Sequence, residues 1–293
     1  MESSEQQYLN LLRDILENGE RRSDRTGTGT ISVFGRQLRF DISQSVPCIT
    51  TKRVPWKKVA EELLWFVRGD THVRSLQEKG VHIWDANSSR EFLDAAGLHS
   101  LPEGDIGPGY GHQWRRFGAE YTTATTAAPI GAAGFDQLSF VIDQLIHNPT
   151  SRRIFMSAWN PGDLSKMALP PCHVSAQFYV SSGRRLSCHM YQRSVDAFLG
   201  FPWNMLSYTM LSYLLAARTG LVPHQLIIST GDTHIYQDHE AQVLMQLLRS
   251  PLPAPKLHLS HSVISAPLHS ITVDDFELLD YKSHPPIQAR MSA

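Results

Sequence analysis

The sequence predicts one mixed α+β domain. Helical stripes and short extended segments intermingle without regular βαβ alternation, and no internal repeat is present. Hydrophobic residues make up 42% of the 293 and charged residues 19%, enough apolar material for a core and against wholesale disorder.

Taken in order, Tyr8, Leu11, Leu12, Ile15 and Leu16 follow helical spacing, with Gly19 as the stop. Asp24-Arg-Thr-Gly-Thr-Gly-Thr30 is a loop rich in glycine and hydroxyls, and Ile31 to Phe40 reads as extended. Trp56, Val59, Ala60, Leu63, Leu64 and Val67 form a second helical stripe ended by Gly69, with Glu62 at its border. Residues 122–134, mostly Thr, Ala, Gly and Pro, read as a flexible loop inside the domain. Phe135 to Ile146 has helical spacing and stops before Pro149. Arg153 to Trp159 reads as a strand, and His173–Val180 with Leu186–Tyr191 as a hairpin around Ser181-Ser-Gly183. Met205–Thr219 is expected as a helix closed by Gly220, Leu226–Thr230 as a short strand and Ile235–Arg249 as a helix. Prolines and short extended runs fill the C-terminus.

Lys plus Arg total 27 against 28 Asp plus Glu, a formal net charge of −1, which argues against a binder driven by nucleic-acid electrostatics. Three cysteines, Cys48, Cys172 and Cys188, fit neither a disulfide framework nor a zinc site. The N-terminus has no apolar signal core, and no apolar run is long enough to span a membrane. The expectation is a cytoplasmic or nuclear protein, neither secreted nor membrane-bound, with no metal.

Cys172 follows two prolines in Leu169-Pro-Pro-Cys-His173, a context that suits a presented thiol and a buried structural cysteine equally. His173 is a poor base for it, because adjacent residues on an extended chain point to opposite faces; a nearby arginine would favour the thiolate instead. Cys48 and Cys188 read as packing residues. Arg25, the pair Arg152 and Arg153, and Arg193 could match phosphate oxygens, although each alone reads as a solvated surface residue. The glycine loop lacks the Lys-Ser/Thr ending of a P-loop. Asn204 could read an imide edge or cap a turn. His234 and Tyr236 share a face if the chain there is extended. Trp84 is either core or a stacking platform.

Asp24-Arg-Thr-Gly-Thr-Gly, Thr50-Thr-Lys-Arg, Glu62-Leu-Leu-Trp-Phe, Tyr110-Gly-His-Gln-Trp, Ser151-Arg-Arg, Ala168-Leu-Pro-Pro-Cys-His, Gln192-Arg-Ser-Val-Asp, Leu199-Gly-Phe-Pro-Trp-Asn, Gly231-Asp-Thr-His-Ile-Tyr and His284-Pro occur in this order. Together they resemble the folate-dependent, cysteine-nucleophile thymidylate synthases from about residue 8 to the end. The resemblance implies a large mixed sheet flanked by helices, with sheets packed back to back in a homodimer. It implies reductive methylation of dUMP to dTMP, with methylenetetrahydrofolate as one-carbon and hydride donor. Cys172 would be the nucleophile, Glu62 the proton shuttle, and Tyr110 an aid to proton removal; Arg193, Asp196 and Asn204 complete the implied catalytic set. Arg25, Arg193 and Ser194 would hold the phosphate, with Arg152 and Arg153 reaching it from the second subunit. Asn204 would pair with the uracil, Asp196 would help bind substrate, and His234 and Tyr236 would take the sugar hydroxyl. Ile83, Trp84, Asn87, Asp196, Leu199, Gly200 and Trp203 would line the folate site, closed by Met291 and Ser292. Trp203 stands where the family usually has Phe, Pro55 where an aromatic or histidine is common, and the tail is less apolar than most.

Three rivals are weaker. A pyrimidine hydroxymethylase on the same fold would end by adding water, and its cytosine-specific type carries Asp at the Asn204 position. A cysteine hydrolase is opposed by the adjacency of Cys172 and His173. An RNA-binding regulator has only the arginines in its favour.

Overall fold

A six-stranded mixed sheet organises the chain in the computed structural model, which describes residues 3–126 and 129–291. Its strands are β1 (Glu20–Arg22), β2 (Thr30–Asp41), β3 (Phe155–Ser157), β4 (His173–Ser181), β5 (Arg185–Asp196) and β6 (Val222–Tyr236). They lie in the order β1-β2-β6-β5-β4-β3. Neighbours are antiparallel except β5 and β6, which run parallel. The helices are α1 (Ser4–Asn18), α2 (Trp56–Arg68), α3 (Arg74–Gln77), α4 (Asp85–Ser88), α5 (Arg90–Ala95), α6 (Tyr110–Arg116), α7 (Gln137–His147), α8 (Gly200–Thr219) and α9 (Glu240–Leu247). A small antiparallel pair, β7 (Lys256–Leu259) and β8 (Phe276–Leu279), stands apart from the main sheet. The α+β expectation holds.

Helix α1 starts where the Ser3 side chain accepts from the Gln6 amide, and it lays Tyr8, Leu12 and Ile15, all fully buried, towards β2. Helix α8 packs on β5 and β6, and α2 packs on α8 and α6. Helix α2 is therefore enclosed: every residue from Val59 to Val67 is buried, including Glu61 and Glu62. Glu62 thus lies inside packed protein, where its sequence position had suggested only the border of an apolar stripe. Fully burying Trp65 and Phe66 contributes about 2–3 kcal/mol each. Gly69 ends α2 at φ 75°, as its spacing suggested.

Three boundaries differ from expectation. The short strand at Leu226–Thr230 is the 15-residue β6, the central strand, bonded to β2 on one side and β5 on the other. Gly231, within this strand, is a close-approach position: a Cβ there would lie 2.5 Å from the Arg193 carbonyl oxygen. The helix expected from Ile235 begins at Glu240, because Ile235 and Tyr236 still pair with β2 and a 3-10 turn covers Gln237–His239. Helix α8 begins at Gly200, ahead of the expected Met205, with Pro202 in its first turn, where a missing N–H costs nothing.

Within 122–134 the described residues form a loop, and residues 127 and 128 lie outside them. The loop is tied down by Tyr121, which donates to Asp105 (2.5 Å), and by the Ala124 amide, which donates to the other Asp105 oxygen (2.7 Å). Among the described residues no helix is long and apolar enough to cross a membrane. Cys48 and Cys188 are buried, and burial pushes both thiols up to about 12, as packing residues require.

Candidate active site

The site forms where the carboxyl ends of β5 and β6 meet the start of β4. A bulge separates His173 from Ser175 in β4, so the chain entering the strand is turned relative to the ladder. Pro170 and Pro171 have carbonyls free of helix or sheet, and Arg193 uses both. Its guanidinium donates to the Pro171 oxygen (2.9 Å) and the Pro170 oxygen (2.7 Å), and its own amide donates to the Cys172 oxygen (2.9 Å). Cys172 is half-buried at this junction. Burial raises its thiol pKa, and Arg193 and Arg25 oppose that rise. The sequence expectation that arginine would favour the thiolate has the right sign for Arg193, but desolvation outweighs it here.

Tyr110, at the start of α6, accepts a hydrogen bond from the Cys172 amide at 2.7 Å. Its ring stacks on His173, with centroids 4.0 Å apart and planes at 15°. His173 bonds the Tyr208 hydroxyl through Nδ1 (3.0 Å) and is pushed down to about 3 by burial. His173 is thus a buried, neutral imidazole packed between two phenols. Burial, then the field of Cys172, raises the Tyr110 hydroxyl well above its ordinary value.

Beyond Tyr110 lies Glu62. Its Oε1 accepts from the Trp84 indole at 2.7 Å and its Oε2 from the Trp203 indole at 2.6 Å. Burial pushes the carboxyl up to about 7, against the two indole bonds. Trp84 and Tyr110 approach edge to face at 6.1 Å. Trp84 is thus neither plain core nor a bare platform: it is half-buried and holds a carboxylate.

Helix α8 carries Asn204 in its first turns, so the turn-cap alternative is replaced by a helical position. The Asn204 amide oxygen accepts from Gln192 at 3.0 Å, which fixes the amide's orientation. Gln192 is 2% exposed, and its own Oε1 has no partner among the described residues. Asp196 accepts the Phe198 and Leu199 amides (2.9 and 3.1 Å), shaping the turn into α8 that sets Leu199, Gly200 and Trp203. Ser194, half-buried, faces Asp232 across the β5–β6 ladder. His234 and Tyr236 are strand residues two apart, with rings 5.1 Å from each other, so the shared-face alternative is the correct one. His234 bonds Asp232 through Nδ1 at 2.8 Å.

Arg25 stands exposed on the glycine loop. Gly27 and Gly29, at φ 75° and 80°, bend that loop so that Asp24 collects the Thr26 amide (2.8 Å), the Thr26 hydroxyl (2.6 Å) and the Gly29 amide (2.7 Å). Burial would raise the Asp24 carboxyl, but these bonds outweigh it and hold it below the usual range. Arg152 and Arg153 are exposed and are not brought to this site. Phe155 pairs with Gln177, and continuing that register puts Arg153 level with Tyr179, six residues along β4 from His173 and roughly 20 Å away.

Ile83 and Trp84 are half-buried, and Asn87 is buried with an Nδ2 that has no partner among the described residues. Met291 is exposed at the tail, and Ser292 lies outside the described residues. The tail is anchored next to Tyr236, where buried His239 bonds the Arg290 carbonyl oxygen at 2.8 Å. Among the described residues no cluster of three or more His, Cys, Asp or Glu is arranged to hold a metal ion.

Sequence reasoning assigned no role to Gln192, Tyr208 or Lys52. Gln192 alternates with Ser194 on β5, a signal available in the pattern. Lys52, 6% exposed, donates to the Phe198 carbonyl oxygen, lies 3.4 Å from the Phe198 ring centroid and is pushed down to about 7 by burial. No local feature of its sequence announces that burial.

The sequence profile described as thymidylate synthase matches residues 6–293. The chain is 52% identical over 288 residues to a thymidylate synthase of Human herpesvirus 8 type P, covering 98% of this chain and 84% of that one. It is 49% identical over 288 residues to thymidylate synthase of Homo sapiens, covering 98% and 90%. It is 50% identical over 288 residues to a bifunctional dihydrofolate reductase-thymidylate synthase of Zea mays, covering 98% of this chain and 54% of that protein. The chain therefore spans about half the length of such bifunctional relatives.

Proposed function

Because the chain belongs to the thymidylate synthase family, we propose that it converts dUMP to dTMP, with methylenetetrahydrofolate giving the one-carbon unit and the hydride and leaving as dihydrofolate. The observation that carries the reading is the gathering, around one half-buried thiol, of two arginines, an oriented Asn204 amide and the Tyr110–Glu62 pair. The reading takes residues 1–293 as one catalytic domain.

Cys172 Sγ adds to ring carbon six of the uracil, and the electron pair moves to carbon five and the neighbouring carbonyl. Carbon five then bonds the folate's methylene as one of that carbon's two bonds to nitrogen opens, the nitrogen keeping the pair and taking a proton. The proton on carbon five leaves with help from Tyr110, whose hydroxyl the Cys172 amide already holds. As that proton leaves, the bond between the methylene and the folate nitrogen breaks, the nitrogen keeping the electron pair, and the departing tetrahydrofolate gives hydride to the exposed methylene and becomes dihydrofolate; the double bond shifts back into the ring as the Cys172–carbon bond breaks and the thiolate departs. Glu62, poised to titrate near neutrality, moves protons at the uracil carbonyl side through ordered water. Asn204 pairs with the imide, its orientation set by Gln192. Arg25, Arg193 and Ser194 take the phosphate. Asp196, His234 and Tyr236 line the substrate side. Ile83, Trp84, Asn87, Asp196, Leu199, Gly200 and Trp203 form the folate side, and Met291 and Ser292 close it.

Arg152 and Arg153 belong in this scheme to the other subunit's site. Within one chain they stand roughly 20 Å from the thiol, beyond their own reach. Phe155, Tyr179 and Tyr191 lie exposed on the sheet face opposite the helices, the surface through which two sheets would pack back to back.

Purified protein mixed with dUMP and methylenetetrahydrofolate tests the reading, with dihydrofolate followed by absorbance and the nucleotide identified by mass. Matching amounts of dTMP and dihydrofolate are expected. Hydroxymethyl-dUMP without dihydrofolate, or no product from a folded dimer, would overturn it.

A further inference from the structure

Glu62 is held by two side chains from distant parts of the chain. Trp84 precedes α4 and reaches Oε1; Trp203, in the first turn of α8 and 141 positions from Glu62, reaches Oε2. An indole N–H can only donate, and an ionised carboxylate can only accept. Two indoles, one on each oxygen, therefore match the ionised form on both sides, while the protonated acid must turn its own O–H away from both.

We propose that Trp203 is a positioning residue for the reaction: through its indole N–H it fixes the plane of the Glu62 carboxylate and favours its ionised form. The inference rests on the reading of Glu62 as proton shuttle. Without this bond Oε2 would be a buried acceptor with the Trp203 ring against it and no donor, and the side chain would be free to turn about its last bond.

The other groups around Glu62 do not compete for this role. Glu61, its neighbour on α2, is paired with Lys79 at 2.6 Å, and Arg68 with Asp70 at 3.1 Å. Lys57 and Lys58 on α2, Arg74 on α3, and His269 and Asp274 on the 3-10 turns against α2 are exposed. Asp275 there is held by Ser260, Ser262 and Thr272. His173 is neutral, and burial keeps Tyr110, Tyr208 and Cys172 in their protonated forms. Burial raises Glu62, and the two indoles alone lower it.

The test is Trp203→Phe, which keeps a ring and removes the donor. The Glu62 titration is read in the whole enzyme by infrared difference spectroscopy of the carboxyl band, identified by its loss in Glu62→Gln. The pH profile of kcat and the KM for methylenetetrahydrofolate are measured alongside. The expected result is a titration midpoint raised by about one pH unit, the size of one hydrogen bond to a charged group. The Glu62-dependent limb of kcat should move with it, and KM should change far less. Benzothienylalanine at position 203, isosteric with indole but lacking the N–H, should reproduce the shift if Trp203→Phe fails to fold. An unmoved midpoint, or a raised KM with an unmoved kcat limb, overturns the inference and leaves Trp203 as packing for the folate. Parental kcat in Glu62→Gln would sink the shuttle reading separately, since the infrared midpoint judges the indole bond without reference to turnover.

Discussion

Replacing Glu62 with Gln should change how the protein's stability depends on pH, with a sign opposite to most carboxylates. The group is 4% exposed, and burial pushes it up to about 7 from 4.5. Between pH 4.5 and 7 the folded protein holds this proton while the unfolded chain has released it. Folding stability contributed by the group is therefore full below pH 4.5 and is lost as pH rises to 7. A difference of about 2.5 pKa units corresponds to about 3 kcal/mol. Gln cannot titrate. Its amide leaves one indole without an acceptor, an offset that does not vary with pH. The assay is urea unfolding of parent and Glu62→Gln at fixed protein concentration from pH 4.5 to 8. His173, pushed down to about 3, gives stability that rises with pH in the lower part of this window, but it is common to both proteins and cancels in the difference. The parent should lose about 3 kcal/mol relative to the variant across the window. A difference that stays constant with pH would refute the claim that burial governs this carboxyl.

Cys172→Ala should abolish methylation while the urea midpoint and oligomeric state remain those of the parent; turnover at the parental rate would remove the thiol from the chemistry. Asn204→Asp should weaken dUMP roughly tenfold or more, because the Gln192-oriented amide loses its donor, and should improve dCMP binding; calorimetric titration with both nucleotides decides it. Gly231→Ala sets a Cβ against the Arg193 carbonyl oxygen at 2.5 Å, so a loss of roughly 1–3 kcal/mol and a raised KM for dUMP are expected. On the proposed dimer with shared sites, mixing inactive Cys172→Ala with an inactive Arg153→Glu variant should restore about a quarter of the sites, since a mixed C2 pair would assemble one site from two intact contributions. Recovery that never exceeds the sum of the separate variants would show that each chain completes its own site.

The local segments were legible because their causes are local. The helix from Tyr8, the helix from Trp56 to the left-handed Gly69, and the β4–β5 hairpin follow from periodicity and turn chemistry. So does the glycine loop behind Arg25, where Gly27 and Gly29 take backbone angles that other residues resist. Position 172 stood out because two prolines precede it, and the pairing of His234 with Tyr236 followed from strand alternation once the strand was granted. The length of β6 was not legible: the extended reading stopped at Thr230, and only the partner strands on both sides carry it from Val222 to Tyr236. Burial of Glu62 was not legible either. A stripe of spacing shows one apolar face of a helix, whereas α2 is enclosed by α6, α8 and the segments around them.

What the amino-acid order determined by itself is therefore the location of the longer helices and strands and the inventory of reactive side chains, because propensity, capping and steric freedom act over a few residues, whereas the short helices α3 to α6 carry too little periodicity to be read. What only the tertiary structure decided is which of those side chains meet. Trp203 reaches Glu62 across 141 positions, Gln192 turns Asn204, and Arg193 grips the prolines before Cys172, while the β3 register carries Arg152 and Arg153 away. Such meetings depend on packing and register summed over the whole sheet, and the low-dielectric enclosure they create is what moves the carboxyl, the imidazole and the thiol from their ordinary values.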